Sequence, residues 1–244
     1  QPDQRARVLT HLRPWLPVLL ALSASSPRWQ GHDTGYASFR YEVWRRWPTA
    51  GPPPVLDDMA SYNRLVDELV EAGAVPDASY LYWDARPSTR HPTVEVRSLD
   101  PCLDPADATA ITGLVRALAW HALEDDGPSP ERAAQDGHRL EAAMWRAARY
   151  GLDGDLLGPD GPPAPARAVV ERLLDRCRPG LQAHGDELAV REQVAVILER
   201  GNGASIQRAL TRSEPSDRHV VAELLRRTRC SRRPAELVAA SSVA

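Results

Sequence analysis

The chain has 244 residues, a formal net charge of −3 and a pI of ≈ 6.2. This length allows one large domain with a sizeable core or two smaller domains. The nearly balanced charge gives no global basic field for nucleic acid or an anionic membrane. All thirty basic residues are arginines, which excludes a Walker-type phosphate loop, a Schiff-base lysine and a Ser-Lys dyad. Any phosphate that the protein binds must therefore be held by arginine.

Cysteine spacing and hydropathy favour a cytoplasmic protein with reduced thiols. Cys102, Cys177 and Cys230 are widely spaced and form no CxxC pair. No apolar run reaches ~18 residues, so no membrane-spanning helix is predicted. The motifs His-Glu-x-x-His, Gly-x-Ser-x-Gly and Gly-x-Gly-x-x-Gly do not occur. Their absence disfavours a covalent nucleophile triad and a structural zinc site.

Apolar periodicity predicts helices over most of the chain. The first covers 4–25 and breaks near Arg13, because Pro14 and Pro17 interrupt it. The remaining helices are predicted at 41–47, 57–72, from Asp104 to the break at 125–130, and at about 130–149, 165–178, 185–200, 203–212 and 216–229.

Two strands are predicted before the long helical half of the chain. They lie at about 79–84 and 92–98 and form a hairpin with a long loop. Asp84 and Arg86 stand at the exit of the first strand, so we expect them to share one face with the polar residues of the second.

The second strand alternates strictly between apolar and polar residues. Val94 and Val96 face one side, whereas Glu95 and Arg97 face the other. A carboxylate in such a position can hold Mg²⁺, and a guanidinium beside it can clamp a phosphate. The alternative is an ordinary solvated strand face.

A loop at 26–40 joins the first two helices. It combines Pro and Gly with aromatic and polar side chains, as recognition loops do, although a surface loop anchored by its aromatics is the alternative. After it, Tyr41, Trp44 and Trp47 recur at helical spacing and are predicted to form a packing face.

Six motifs occur in a fixed order along the chain. They are Leu12-Arg13-Pro14-Trp15-Leu16-Pro17, Trp29-Gln30-Gly31-x-Asp33-Thr34-Gly35-Tyr36-Ala37-Ser38, Arg46-Trp47-Pro48-Thr49-Ala50-Gly51-Pro52, Tyr82-Trp83-Asp84-x-Arg86, Thr93-Val94-Glu95-Val96-Arg97 and Trp145-Arg146-Ala147-Ala148-Arg149-Tyr150-Gly151-Leu152. Together they resemble the carboxylate–amine ligase family, the type 2 glutamate–cysteine ligase-like proteins of bacteria. The resemblance covers nearly the whole chain, to about Leu225.

The resemblance implies an α+β fold with a glutamine-synthetase-like, curved antiparallel sheet and helices on its convex side. This chain would be mostly helical with few strands. The implied reaction is amide formation that requires ATP and Mg²⁺. ATP phosphorylates a carboxylate, typically that of glutamate, and an amine such as that of cysteine displaces the phosphate. Such chemistry needs metal ions and arginines rather than a protein nucleophile.

The resemblance also implies roles for single residues. The expected set is the metal ligand Glu95, the catalytic arginines Arg86 and Arg97, and the substrate-binding residues His32, Tyr36 and Arg40. Two positions depart from the family pattern: His32 and Ile206 each stand where the family usually has arginine. A neutral histidine would bind a substrate carboxylate less well than arginine, and its charge would depend on pH.

The chain is expected to be a single domain over 1–244 that corresponds to the C-terminal part of the family. The paired-glutamate strand and the His-x-His strand of the family, which supply most metal ligands, have no counterpart in it. The chain begins at Gln1 rather than Met, so we expect a processed, trimmed or partial polypeptide.

Three hypotheses stay open. The first is a ligase of small-molecule substrates whose missing section lies in a second, complementing upstream polypeptide or in residues outside this sequence; the expected assembly is a homo-oligomer or a complex with that upstream chain. The second is a catalytically inactive scaffold or regulatory binding protein. The third is a helical nucleic-acid-binding protein that uses the C-terminal arginines.

Overall fold

Helices form most of the architecture in the computed structural model, which describes residues 2–124, 137–214 and 216–230. Within these ranges the helices are α1 (Pro2–Leu12), α2 (Leu16–Ser23), α3 (Phe39–Trp44), α4 (Met59–Glu71), α5 (Pro105–Glu124), α6 (Gly137–Tyr150), α7 (Ala166–Ala183), α8 (Glu187–Arg200), α9 (Gly203–Ser213) and α10 (Asp217–Cys230). The mostly helical chain that the sequence predicts is confirmed. Residues 130–136 of one predicted helix, and Arg232 and Arg233 of the C-terminal cluster, lie outside the described residues.

Short strands form three separate antiparallel ladders in the described part of the chain. The strands are β1 (Arg28–Trp29), β2 (His32–Asp33), β3 (Ala85–Pro87), β4 (Val94–Val96), β5 (Asp155–Leu156) and β6 (Ala164–Pro165). They pair as β1–β2, β3–β4 and β5–β6. The α+β class is consistent with this arrangement. A larger curved sheet of glutamine-synthetase type stays a prediction, because the described strands do not join into one sheet.

The hairpin predicted at 79–98 exists, but its first strand is misplaced in the prediction. Ala78–Tyr80 forms a 3₁₀ turn, and β3 begins only at Ala85. The Asp77 carboxylate caps this turn by accepting from the Ser79 amide at 2.7 Å. The Arg86 guanidinium donates hydrogen bonds to the carbonyl oxygens of residues 78, 79 and 81. These carbonyls therefore bond to a side chain and not to a neighbouring strand.

The break predicted near Arg13 is confirmed, because a 3₁₀ turn at Arg13–Trp15 separates α1 from α2. All eight residues of α2 are buried, which suits a segment without charged side chains. α2 packs against α6 and α5. Arg13 is itself buried and donates from Nε to the Pro53 carbonyl at 2.6 Å, which fixes the proline-rich linker to the core.

A second layer of the core is the close packing of α5 against α7 and α8. The Cys177 thiol of α7 donates to the Leu114 carbonyl at 3.6 Å, and burial raises the pKa of this thiol to about 12. Cys177 and Cys102 are both free thiols, as expected. No helix in the described residues combines the length and the hydropathy that crossing a bilayer requires.

The approach of α7 to α5 depends on Gly180. A Cβ added there would lie 2.9 Å from the Ala117 Cα and carbonyl oxygen, which are backbone atoms that cannot rotate away. We predict that Gly180→Ala lowers the free energy of unfolding by about 1–3 kcal/mol through overpacking. Urea denaturation would measure the change.

Gly137→Ala in α6 is the matched control, since its added Cβ meets nothing within 4 Å. Its expected effect is under about 1 kcal/mol and favourable, because alanine favours helix over glycine. Equal unfolding midpoints for the two variants would contradict the predicted helix contact.

Candidate active site

Glu95 lies opposite Arg86 in the β3–β4 ladder and next to Arg97 on the same face. Its Oε1 accepts from Arg86 Nε at 2.5 Å and from Arg97 Nη1 at 2.9 Å. Both hydrogen bonds end on Oε1, so Oε2 has no partner among the described residues. The Glu95 side chain is 40% exposed. The hairpin therefore presents a fixed carboxylate with one oxygen open to an incoming group.

Arg86 is the buried member of this cluster, with a side chain only 9% exposed. Its Nη1 donates to the carbonyls of Ala78, Ser79 and Leu81 at 3.1, 3.0 and 2.7 Å. These bonds hold the guanidinium in one orientation, and Nε aims at Glu95. The geometry makes Arg86 an anchor for the carboxylate.

Arg97 is held differently from Arg86. Its side chain is 30% exposed, and Nη1 bonds to Glu95, whereas Nε and Nη2 have no hydrogen-bond partner in the described part of the chain. The guanidinium also lies 5.8 Å from the centre of the Tyr82 ring. Arg97 thus keeps donors for an anion beside the open oxygen of Glu95.

The charge state of Glu95 follows from two opposing effects. Burial raises the pKa of this carboxyl, but the hydrogen bonds from Arg86 and Arg97 outweigh burial and bring the pKa below its ordinary value. Glu95 is therefore ionised at neutral pH, as a metal-binding carboxylate must be.

Arg40 joins the loop at 26–40 to the segment that follows β4 and begins with Arg97. It donates to the Arg97 carbonyl at 3.3 Å and to the Leu99 carbonyl at 3.2 Å. Asp100 strengthens this junction, since its Oδ2 accepts from the Ser25 amide at 2.8 Å and from the Ser26 hydroxyl at 2.7 Å. The loop and the hairpin are thereby fixed relative to each other.

Tyr36 and His32 lie on the other side of this junction. The Tyr36 hydroxyl accepts from Trp145 Nε1 at 3.2 Å, and Arg149 lies 5.0 Å from the centre of the Tyr36 ring. His32 pairs with Trp29 in the exposed β1–β2 ladder. In the described residues no hydrogen bond, ion pair or ring contact joins either residue to Glu95. The expected site residues thus form two groups, which Arg40 connects.

Arg208 and Arg149 fix the loop that carries Tyr36, and neither was singled out from the sequence. Arg208 of α9 bonds both oxygens of Asp33, at 2.8 and 3.1 Å, and lowers the pKa of that carboxyl. The Arg149 carbonyl at the end of α6 accepts from the Ala37 amide at 3.2 Å. Arg149 belongs to the motif at 145–152, which was the available signal, whereas nothing local marks Arg208.

Asp84 does not share the polar hairpin face, which corrects the expectation. It is buried, and its Oδ2 accepts from the Tyr41 hydroxyl at 3.0 Å. Burial raises the pKa of Asp84 to about 7, although Tyr41, Arg45 and Arg40 oppose the shift. Its carbonyl accepts from the Arg97 amide at 2.7 Å, so Asp84 supports the strand behind the site.

The predicted packing face of the helix at 41–47 is also wrong in part. Tyr41 is buried, but Trp44 is 36% and Trp47 53% exposed. α3 ends at Trp44, so Trp47 lies beyond the helix. Neither tryptophan therefore continues the buried helix face to which Tyr41 belongs.

The fit of the site to Mg²⁺ rests on Glu95 alone. No group of three His, Cys, Asp or Glu side chains in the described ranges could enclose a metal ion. A single open carboxylate oxygen nevertheless fits Mg²⁺ in phosphoryl transfer, where one or two carboxylates act together with phosphates and water. Glu95 meets the lower limit of that requirement.

Comparison with known proteins gives one consistent family. The model of "Glutamate-cysteine ligase family 2" matches residues 1–227. A Streptomyces coelicolor protein named "Putative glutamate--cysteine ligase 2" is 43% identical over 230 residues, which are 94% of this chain and 63% of that protein. A Saccharopolyspora erythraea relative named "Putative glutamate--cysteine ligase 2-1" is 45% identical over 216 residues, 88% of this chain and 57% of its own length. The chain thus spans less than two thirds of these relatives.

The buried carboxyl of Asp84 predicts a specific dependence of stability on pH. Its folded pKa of about 7 lies above the ordinary value of 3.8, so folding favours the protonated form. This contribution is fully present below about pH 4 and is lost as the pH rises through 7. We predict that Asp84→Asn removes the loss and is more stable than wild type at pH 8, by on the order of a few kcal/mol.

Urea unfolding of wild type and Asp84→Asn from pH 4 to pH 8 would measure the difference. Asp67→Asn on the exposed face of α4 serves as the control and should follow the wild type. A constant difference between wild type and Asp84→Asn over this range would show that Asp84 does not titrate there.

Proposed function

Because the chain belongs to glutamate–cysteine ligase family 2, we propose that it carries out part of an ATP-dependent carboxylate–amine ligation. The substrates are a glutamate-like carboxylate and a cysteine-like amine. The observation that carries the proposal is the arrangement of Glu95 between Arg86 and Arg97, with Oε2 open and two Arg97 nitrogens unpaired among the described residues.

The proposed reaction has two steps. A substrate carboxylate oxygen attacks the terminal phosphorus of ATP, so that ADP leaves and an acyl phosphate forms. The amine nitrogen then attacks the acyl carbon, and phosphate and a proton leave as the amide bond forms. Neither step needs a protein nucleophile; both need cations at the oxygens that gain negative charge. In a chain without lysine, arginine is the side chain that can supply such a cation beside a bound metal ion.

Each residue of the hairpin receives a role from its contacts. Arg97 would hold the transferred phosphoryl group through the nitrogens that Glu95 does not use. Arg86 would act as a positioning residue, because its Nη1 is already bonded to three carbonyls. Glu95 would hold Mg²⁺ through Oε2. When bound, Mg²⁺ would neutralise charge on the ATP phosphates.

The loop at 26–40 is proposed to bind the carboxylate substrate. An open cleft of this region is lined by Gly35, Arg149 and Arg208, and Arg149 also contacts the Tyr36 ring. Arg40 fixes the distance between this loop and the hairpin through its two carbonyl bonds. His32 is exposed on the same loop and would meet the substrate only at the rim.

The remaining metal ligands are proposed to lie outside this chain. Glu95 is a single carboxylate, and β3–β4 is a two-stranded ladder, which is marginal without further strands or packing. The chain spans 63% of the Streptomyces coelicolor relative. A complementing upstream segment would supply the missing strands, whereas a homo-oligomer is the alternative assembly proposed for this chain. We further propose a cytoplasmic location, with no nucleic-acid or membrane partner.

The first test is Glu95→Gln, which keeps the side-chain shape but removes the charge. We predict that phosphate release from ATP, with glutamate and a panel of amines, loses its Mg²⁺ dependence and falls on the order of 10²-fold or more. A Mg²⁺ titration of phosphate release would measure this. The protein should be assayed alone and with the rest of a relative's sequence added.

Glu68→Gln, on the exposed side of α4, is the matched control and should behave as wild type. Equal Mg²⁺ dependence in wild type and Glu95→Gln would contradict the proposal that Glu95 is a metal ligand. No activity even with the added segment folded and bound would favour the alternative, a catalytically inactive scaffold or regulatory protein.

The second test is Arg97→Lys. Lysine keeps the charge but lacks the planar fork of guanidinium. If Arg97 acts mainly in the transition state, kcat falls on the order of 10²-fold while the KM for ATP changes little. Steady-state kinetics would measure both parameters, with Arg90→Lys in the exposed hairpin loop as control. A raised KM with an intact kcat would instead make Arg97 a ground-state binding residue.

A further inference from the structure

Four aromatic side chains meet on the surface beside the hairpin. The rings of Trp44, Trp47 and Tyr80 surround that of Tyr82, with centroid separations of 5.1, 5.5 and 6.5 Å. Trp47 is 53% and Tyr80 43% exposed. We call these four residues the aromatic platform. Exposed apolar side chains that lie together, unlike those exposed singly, are candidates for an interaction surface.

Backbone and hydroxyl contacts hold the platform in shape. The Thr49 hydroxyl donates to the Tyr80 carbonyl at 3.0 Å and accepts from the Tyr82 amide at 3.2 Å. The Trp47 amide donates to the Trp44 carbonyl at 3.0 Å. The rings are therefore presented by fixed backbone, so binding a ligand would cost little additional ordering.

The platform is continuous with the charged cluster of the hairpin. The Arg97 guanidinium lies 5.8 Å from the centre of the Tyr82 ring and at the same time bonds to Glu95 at 2.9 Å. Arg40 lies 5.9 Å from the centre of the Trp44 ring. A ligand that covers both areas must combine a planar ring system with a negatively charged group, and a nucleotide has this combination.

We propose that the aromatic platform stacks the base of the nucleotide whose phosphates lie at Arg97 and Glu95. The proposal rests on the proposed function, because it uses the same phosphate site, and it adds the place and the chemistry of base recognition. Stacking on aromatic rings accepts any base, since each has a π face. The platform thus provides affinity for a nucleobase and little choice among bases.

The test compares ATP with inorganic tripolyphosphate, which has the phosphates but no base. Isothermal titration calorimetry with Mg²⁺ would measure both dissociation constants for wild type, Trp47→Ala and Trp47→Phe. We expect Trp47→Ala to weaken ATP binding about tenfold, within the range measured for loss of one stacking ring. Tripolyphosphate binding should stay within about twofold, and Trp47→Phe should restore most of the ATP affinity.

Leu188→Ala is the control, because Leu188 is a large apolar side chain that is 71% exposed on α8, outside both the platform and the loop at 26–40. It should leave ATP affinity unchanged. Tyr80→Ala provides a second probe of the platform should Trp47→Ala fail to fold, and it should weaken ATP more than tripolyphosphate.

Other outcomes overturn the proposal in distinguishable ways. Unchanged ATP affinity in both platform variants, with wild type still binding both ATP and tripolyphosphate, would remove the platform and leave the proposed function intact. Equal weakening of ATP and tripolyphosphate by Trp47→Ala would make the platform a structural element. Wild type that binds neither ligand, both alone and with the rest of a relative's sequence added, would remove both proposals. A change in oligomeric state without a change in ATP affinity would assign the platform to a protein partner.

Discussion

The hydrogen bonds of the Arg86 guanidinium fix the candidate site. A buried cation is costly unless its donors are satisfied, and Arg86 has three carbonyl acceptors and one carboxylate oxygen. The carbonyls belong to the turn at 78–81, and the carboxylate belongs to the opposite strand. One side chain therefore holds the turn, the hairpin register and the orientation of Glu95 together. Its removal would leave these acceptors without their donor and the carboxylate without its support.

A second layer of contacts couples this hairpin to the loop at 26–40. Arg40 and Asp100 join the loop to the end of β4, and Asp84 supports β4 from behind through the Arg97 amide. Burial raises the pKa of Asp84 to about 7, so the charge behind the site changes with pH near neutrality. The pKa of Glu95 is lowered instead, so its charge does not change in that range. The candidate site therefore combines the carboxylate of Glu95, which stays ionised, with the buried carboxyl of Asp84, which titrates near neutral pH.

The sequence was informative wherever a local pattern decides the structure. Helices follow from apolar periodicity, and strict alternation placed Glu95 and Arg97 on one face. Predictions failed where a distant partner decides. The segment at 79–84 has strand-like residues, but Asp77 and Arg86 bind its backbone instead. Trp44 and Trp47 have helical spacing, yet α3 ends before the second of them. Contacts such as Arg208 with Asp33, far apart along the chain, leave no local signal.

Because the chain has no lysine, arginine must serve both as a structural cation and as an anion-binding cation. The number of hydrogen-bond acceptors that each arginine already contacts distinguishes the two roles. Arg86 is 9% exposed, and four hydrogen bonds occupy its Nε and Nη1. Arg97 is 30% exposed and bonds one carboxylate through one nitrogen. A guanidinium whose N–H groups already donate to acceptors within the fold maintains structure. A guanidinium with N–H groups still unbonded, beside an ionised carboxylate, can bind a new anion. Since Glu95 bonds both arginines through the same oxygen, the structural arginine places the carboxylate and the carboxylate places the open arginine.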